Sequence, residues 1–204
     1  MTHSALERLQ QDHHQIETLL WVLERQTAAI SSGDRPDYAL MHQILHYLTY
    51  CPDQYHHVFE DLLFERLARR RADMLEVIKG LSGQHETLTA LGMELRTLME
   101  AILNDSPVDR ADLTYHGREY IAQYREHLEY EESRIFPALS ENLTQSDWLE
   151  LLTQFEWRAD PLFTNQANKE YALLEETLHI MGVDPGTLKD SLPQDCPICS
   201  GRWR

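Results

Sequence analysis

The sequence has few cysteines, few basic residues and no long apolar run. Three cysteines among 204 residues are too few for a disulfide framework, so we expect a reducing, cytoplasmic compartment. Only 18 Lys and Arg residues stand against 34 Asp and Glu, for a net charge of −16. This charge argues against nucleic acid or an anionic membrane as a partner. No apolar run approaches the ~20 residues of a membrane span, and the first residues lack the apolar core of a secretory signal.

Glycine and proline are also scarce, with eight of each. They concentrate at a few breaks, of which Ser31–Pro36 and Asn104–Asp109 are the clearest. Between the breaks, apolar residues recur at steps of three and four, and no run of alternating β-branched residues predicts a strand. The pattern therefore predicts an all-α protein, an antiparallel up-down-up-down four-helix bundle with an extra C-terminal helical segment. We expect a bend at Pro52 and helices over about Ser4–Ser31, Asp37–Arg70, Asp73–Asn104 and Asp109–Glu141.

We divide the chain into three parts by their patterns: the bundle at 1–143, a helical extension at 144–182 and a tail at 183–204. The extension is predicted to be helical from about Ser146 to Met181, with an interruption near Pro161. It either covers the open side of the bundle or reports the state of the bundle to a partner protein.

The tail contains the motif CPIC, with Cys196 and Cys199. Three interpretations stay open for this pair: an unliganded flexible segment, a redox dithiol, or half of a metal site that two chains complete in a homodimer.

Histidine is abundant, with 11 residues. Six His and Glu residues recur at an interval of 71 or 72: His13 with His85, His56 with His127, and Glu60 with Glu131. Apolar residues repeat at the same interval, so the sequence predicts two related helical hairpins side by side.

The six repeating residues are also expected to lie at one level of the bundle. His56 and Glu60, like His127 and Glu131, stand four residues apart, on one face of a helix. The midpoints between successive histidines of the set fall in the predicted turns, which places all four histidines at the same height. Four imidazoles and two carboxylates in an apolar core are costly without cations. We therefore predict two divalent cations, each bound by two His and bridged by both Glu; iron or manganese suits these ligands, and zinc would also fit.

Three further residues are candidates for the surroundings of this site. Glu17 stands four residues after His13 and is a spare metal ligand, supports an imidazole N–H or lies at the surface. His57 follows a predicted ligand by one residue and is expected to face its neighbours or solvent. Tyr124, one turn before His127, either is a simple core residue, donates a hydrogen bond to a bound ligand, or takes part in electron transfer.

Other residues give weaker indications of a role at the site. Asp61 and Glu132 each follow a predicted bridging acid and are expected near the ligands or at the surface. A second polar site at His42, His46 and His116 is the weaker alternative to simple packing or exposure. The sequence has no Ser or Cys nucleophile elbow and no Gly-rich phosphate loop, so it identifies no catalytic residue and leaves open whether the protein is an enzyme.

Four motifs together resemble the hemerythrin-like, His-His-Glu cation-binding family over about Leu6 to Leu143: DHHQIETLL, YHHVFEDLLFERL, GQHETLTAL and HLEYEESRIFPAL. The resemblance implies an antiparallel four-helix bundle that holds a non-haem centre of two iron ions, of the Fe–O–Fe type. It also implies that Glu60 and Glu131 bridge the two ions.

The sequence departs from the oxygen-carrying hemerythrins, which have a fifth histidine on the third helix. Here Leu81 and Thr89 occupy the positions one turn either side of His85. Four His and two Glu are more similar to the di-iron domain of iron–sulfur cluster repair proteins, a class associated with nitrosative and oxidative stress. Their small cysteine-bearing N-terminal domain has no counterpart before the first helix.

The leading hypothesis is a cytoplasmic di-iron protein that binds or reacts with O2, NO or reactive oxygen species, in a stress response or in repair of iron centres. Its expected partner is a small diatomic or peroxide ligand. The alternatives are a protein that reversibly binds or stores O2 or iron, and a regulatory module that senses the state of the metal.

Overall fold

A computed structural model describes residues 2–155, 160, 162 and 171–182, and within these residues it contains helices and no strand. The eight α-helices are α1 Thr2–Ser32, α2 Tyr38–Cys51, α3 His57–Arg70, α4 Leu75–Leu103, α5 Arg110–Tyr130, α6 Phe136–Asn142, α7 Gln145–Gln154 and α8 Ala172–Ile180. A π turn continues α2 into α3, and another continues α5 into α6. Residues 2–142 thus form four long helical rods (α1, α2 with α3, α4, and α5 with α6), and the predicted four-helix bundle is confirmed.

The ends of the rods are fixed by capping side chains. Asp37 accepts a hydrogen bond from the Leu40 N–H at 2.9 Å and begins α2. Asp109 accepts from the Ala111 N–H at 2.7 Å and begins α5. Each cap satisfies a backbone donor that the first helical turn leaves without a partner. Asp37 directly follows the predicted break Ser31–Pro36, and Asp109 is the last residue of the predicted break Asn104–Asp109. The loops are therefore short, and adjacent rods run antiparallel.

The predicted bend at Pro52 takes the form of a π turn, Pro52–His56, in which the His57 N–H donates to the Pro52 carbonyl. The second π turn, Glu131–Ile135, ends where the Phe136 N–H donates to the Glu131 carbonyl. A π turn adds a residue to the helical turn, changes which side chains face inward, and is frequent at functional sites. Each turn shares one residue with a His-x-x-x-Glu motif, His56 in the first turn and Glu131 in the second.

Two apolar cores fill the bundle, one towards the 33–37 and 104–109 loops and one towards the opposite end. The first includes Leu20, Leu45, Leu95 and Ile121. The second includes Leu9, Leu63, Leu81 and Leu139. The six predicted metal ligands lie between these cores along every rod, so a polar layer is enclosed by apolar side chains on both sides.

The extension packs on the bundle. Helix α7 places Trp148 and Leu151 in the second core, and α8 places Leu174 and Leu178 in the first. Helix α7 also binds α3 through Asp147, which accepts hydrogen bonds of 2.8 Å from two arginines, Arg66 and Arg70.

Part of the predicted C-terminal organisation lies outside the described residues. Helix α7 ends at Gln154, where Phe155 is extended, and α8 spans Ala172–Ile180. Pro161 and the tail with Cys196 and Cys199 lie outside the described residues. Among the described helices, none combines the length and the apolar character that crossing a bilayer requires.

Candidate metal centre

The structure brings all six repeating residues together in the polar layer. Glu60 lies 3.3 Å from His13 and 3.2 Å from His56, measured from Oε1 to each Nε2. Glu131 Oε2 lies 3.4 Å from the Nε2 of both His13 and His127. His85 Nε2 lies 3.6 Å from an oxygen of each carboxylate. Every histidine of the set therefore turns Nε2 towards the two glutamates.

These side chains are buried, yet several of their polar atoms have no hydrogen-bond partner. Glu60 and Glu131 are 0 % exposed. Within the described part of the chain, Nε2 of His56, His85 and His127 and both Glu131 oxygens form no hydrogen bond, although their contacts with the facing groups are 3.2–3.6 Å long. A buried polar atom without a partner costs about 1–3 kcal/mol. Several such atoms at one point fit a bound cation, which would accept their lone pairs.

The donor atoms form two groups, each within 4.8 Å. One consists of His13, His56, Glu60 and Glu131, and the other of His57, Glu60, His85 and His127. Glu60 belongs to both, and Glu131 also contacts His85 and His127 of the second group. The arrangement therefore offers two adjacent positions for cations with two shared carboxylates.

The carboxylates set the protonation of three imidazoles. Burial opposes the charge of His13, but Glu131, Glu132 and Glu60 raise its pKa well above the usual value. Against the same effect of burial, Glu60 and Asp12 raise the pKa of His56 to about 9. Asp61 and the two central glutamates likewise raise the pKa of His85 to about 10. Protons thus occupy these nitrogens when cations do not, and the two compete for the same lone pairs.

The other buried imidazoles behave differently. Burial lowers the pKa of His127 to about 4, although Glu131 acts in the opposite direction. Burial also lowers the pKa of His57, and Asp53 only partly offsets it. Against the effect of burial, His56 and His13 lower the pKa of Glu60 well below the usual value. The layer is a mixture of charged and neutral groups in which both neutral imidazoles belong to the second group of donors.

An outer set of polar side chains holds the imidazoles from behind. Nδ1 of His13 lies 3.1 Å from Glu132 Oε1, and Nδ1 of His127 lies 3.0 Å from Gln84 Oε1. The remaining two contacts are longer, 3.5 Å from His56 to Asp12 and 3.5 Å from His85 to Asp61. Such partners fix the ring and direct the other nitrogen at a metal.

Sequence reasoning found only part of this outer set. The sequence predicts Asp61 and Glu132 near the ligands or at the surface, and the structure puts both behind an imidazole. Asp12 and Gln84 were missed, although each directly precedes a predicted ligand. Their partners belong to other helices, His56 for Asp12 and His127 for Gln84, so spacing along the chain gives no sign of these contacts.

Glu17 does not support an imidazole, in contrast to the prediction. Its buried carboxylate accepts hydrogen bonds of 3.0 and 3.2 Å from the Arg125 side chain. Burial raises the pKa of Glu17, and Arg125 acts in the opposite direction. The surface alternative is also wrong, because Glu17 is 1 % exposed.

The other two candidates lie beside the layer. Tyr124 is fully buried, its hydroxyl has no partner among the described residues, and its ring centroid lies 6.4 Å from that of His127. His57 faces its neighbours rather than solvent: its Nδ1 lies 2.8 Å from Asp53 Oδ1, and its ring stacks on His85.

The weaker second site is not assembled. His42 contacts Glu100 at 3.1 Å, and His46 contacts the Tyr171 hydroxyl at 3.0 Å. Neither histidine belongs to a metal-ligand group within the described residues.

A small cavity reaches the layer beside His56. Its volume is about 30 Å³, and its lining includes Asp12, His56, Tyr47 and Pro52. A water molecule needs at least ~10–15 Å³ by this measure, so the cavity admits molecules of one or two heavy atoms.

A buried layer of imidazoles and paired carboxylates between two apolar cores defines a metal-binding helical bundle. The family model described as the hemerythrin HHE cation-binding domain matches residues 4–139, and the chain belongs to this family. Membership implies a metal site, for which iron is the usual occupant, and both donor groups fit it. No curated protein and no solved structure matches the chain.

Proposed function

We propose that the protein is a non-haem di-iron protein whose centre binds or reacts with O2, NO or a reactive oxygen species. The observation that carries this proposal is the set of buried Nε2 and carboxylate atoms that face one another without hydrogen-bond partners. Two iron ions at these positions would supply redox-active sites with room for a small ligand. A role in stress response or in repair of iron centres belongs to the same proposal.

The two glutamates would hold the pair of ions together. Glu60 contacts histidines of both donor groups, and so does Glu131. Carboxylates in such positions would hold ions in both donor groups. The imidazoles supply the remaining nitrogen donors, and this mixed N and O set without thiolate favours iron or manganese.

Enclosure of the layer supports a small ligand rather than a large substrate. The ring of Phe136 stacks on His13 with centroids 5.1 Å apart, and the two apolar cores cover the layer at both ends. The cavity beside His56 is about 30 Å³, a size that suits a diatomic molecule or peroxide. An apolar surrounding also limits water at the metals and tunes their reactivity.

The test is anaerobic reconstitution with Fe²⁺, followed by measurement of iron content and of the visible spectrum before and after addition of O2 or NO. We expect two iron ions per chain and a spectral change with either gas. His56→Ala should lose iron, whereas the control His42→Ala, which changes an imidazole outside the layer, should retain both ions. Fewer than one iron per chain, unchanged by His56→Ala, would contradict the proposal.

Reversible binding or storage of O2 is the second candidate, because the same enclosure that limits water also protects a bound ligand from further reaction. Rapid mixing of the diferrous protein with O2, followed by removal of the gas under vacuum, separates the two functions. Recovery of intact diferrous protein supports reversible binding. Irreversible oxidation of the iron supports a reactive centre.

A further inference from the structure

His57 is a fifth buried imidazole in the layer, and neither the internal repeat nor the His-x-x-x-Glu spacing marks it. It is 4 % exposed, as deeply buried as the four repeating histidines. Its ring centroid lies 4.1 Å from that of His85 and 6.1 Å from that of His127. The first π turn ends at His56, directly before His57, and both of these consecutive residues are buried.

The orientation of His57 matches that of the predicted ligands. Its Nδ1 lies 2.8 Å from Asp53 Oδ1, and the other Asp53 oxygen accepts a hydrogen bond from Thr89 Oγ1 at 2.6 Å. An ionised carboxylate only accepts hydrogen bonds, so the ring proton is on Nδ1 and Nε2 carries a lone pair. This Nε2 is buried and has no hydrogen-bond partner among the described residues. His57 thus has both an outer carboxylate and an inward-facing free donor, the arrangement that is typical of metal-binding histidines.

The donor atom of His57 also lies with those of other candidate ligands. The donor atoms of His57, Glu60, His85 and His127 lie within 4.8 Å of one another. Atoms bound to one ion at about 2.1 Å are at most about 4.2 Å apart, so these donors must move closer together to bind one ion. The ring planes of His57 and His85 are 10° apart, and the lone pairs of parallel rings do not meet. Binding of one ion by both His57 and His85 therefore requires one of the two rings to rotate out of the stack.

We propose that His57 is a fifth imidazole ligand, which makes the two metal positions unequal. The proposal rests on the proposed di-metal function. One ion then has three imidazoles, from His57, His85 and His127, and the other has only those of His13 and His56. With both glutamates shared, the ion with fewer protein ligands is the one beside the cavity that His56 lines. The open position for a small ligand is thereby assigned to that single ion.

The direct test counts the coordinated imidazoles in Co²⁺-loaded protein by proton NMR. Each histidine that binds Co²⁺ through Nε2 keeps its Nδ1 proton, which gives one strongly shifted, solvent-exchangeable resonance. We expect five such resonances in the unaltered protein. Four would overturn the proposal and would make His57 a residue that only positions His85. This count needs no variant, so it does not depend on the folding of a mutant.

Two matched variants extend the test. His57→Phe keeps an aromatic ring beside His85 but removes both nitrogens, and it should lose one shifted resonance and weaken one of the two Co²⁺ affinities by about 100-fold or more. His14→Ala changes the histidine that follows His13 as His57 follows His56, and it should alter neither. If His57→Phe and His14→Ala had the same number of shifted resonances and the same Co²⁺ affinities, His57 would not be a fifth ligand. The proposed di-metal function would still stand. Failure of the unaltered protein to bind two ions would instead contradict the proposed function itself.

Azide provides an independent readout on the oxidised iron form. With three imidazoles on one ion, the unaltered protein should bind one azide per iron pair, detected by the visible absorption of the ferric complex. His57→Phe opens a second position and should bind up to two. Two azides per pair in the unaltered protein would show that both ions are equally open, against the proposal.

Discussion

A residue that lies close to a metal ligand in the sequence does not always face the metal layer. Glu17 and His13 stand one helical turn apart, yet the Glu17 carboxylate turns away from the layer. It forms a pair with Arg125, whose Nη2 lies 2.9 Å from Oε1. Arg125 also reaches the half-exposed Glu24 at 3.0 Å. The three residues connect α1 to α5 through charge.

Glu17→Ala should therefore destabilise the fold without changing metal content. Removing one partner of a buried pair leaves a poorly solvated charge and costs about 3–5 kcal/mol. We expect a lower value of about 2–3 kcal/mol, because Arg125 is partly exposed and keeps Glu24. Urea unfolding measures the change in the free energy of unfolding, and metal analysis measures the iron content. Glu24→Ala is the control and should cost less than about 1 kcal/mol; iron loss in Glu17→Ala would restore Glu17 as a support of the site.

At the scale of helices, the close contact of α2, α4 and α5 depends on the absence of a side chain at Gly92. A Cβ built there would overlap Thr49 Cγ2 and would lie 3.1 Å from the Tyr120 ring. Thr49 is fixed by the hydrogen bond from its Oγ1 to the Leu45 carbonyl at 2.8 Å. The ring of the buried Tyr120 therefore packs beside α4 at Gly92. Tyr120 lies one helical turn from Tyr124, close to the metal layer.

Gly92→Ala tests this packing against the intrinsic preference of a helix for alanine. Alanine stabilises a helix interior by up to about 1 kcal/mol over glycine, but overpacking in a core costs about 1–3 kcal/mol. Because Thr49 cannot easily move, we expect a net loss of about 1–2 kcal/mol in denaturant unfolding. Gly80→Ala in the same helix meets no atom within 4 Å and should instead stabilise the protein by up to about 1 kcal/mol. If both variants changed the free energy of unfolding in the same direction, the close contact at Gly92 would not limit the packing of these helices.

The two π turns also shape the helices at the metal layer. Each shares one residue with a His-x-x-x-Glu motif. The two rods that carry the glutamates are therefore wound differently at this layer from α1 and α4. The first turn ends at His56, and both His56 and His57 are buried.

For the molecule as a whole, the polar layer divides one bundle into two apolar cores. Unpartnered imidazole and carboxylate atoms at its centre make the metal-free form less stable than an apolar core of the same size would be. A cation that binds only the folded state raises stability by mass action, by about 2.7 kcal/mol at a concentration 100 times its Kd.

Metal loading should accordingly raise the melting temperature. For a chain of 204 residues, each kcal/mol shifts the midpoint by about 2–4 °C, so one site loaded to 100 times its Kd gives about 5–10 °C. Scanning calorimetry of protein with and without Fe²⁺ under anaerobic conditions measures this shift. His56→Ala, which weakens one position, should show a smaller shift. An equal melting temperature with and without the ion would mean that the layer is satisfied without a cation.

The sequence by itself determined the four rods, their direction and the height of the six repeating residues. Helical spacing places His56 and Glu60 on one face, and equal distance from a short turn places residues of antiparallel helices at one level; both are local or nearly local properties. Tertiary structure alone decided which side chains stand behind the imidazoles, because Asp12 and Gln84 contact residues of other helices. It also decided that Glu17 pairs with Arg125 and that His57 turns inward. These contacts depend on the rotation of each helix about its axis and on the π turns, and neither is fixed by spacing along the chain.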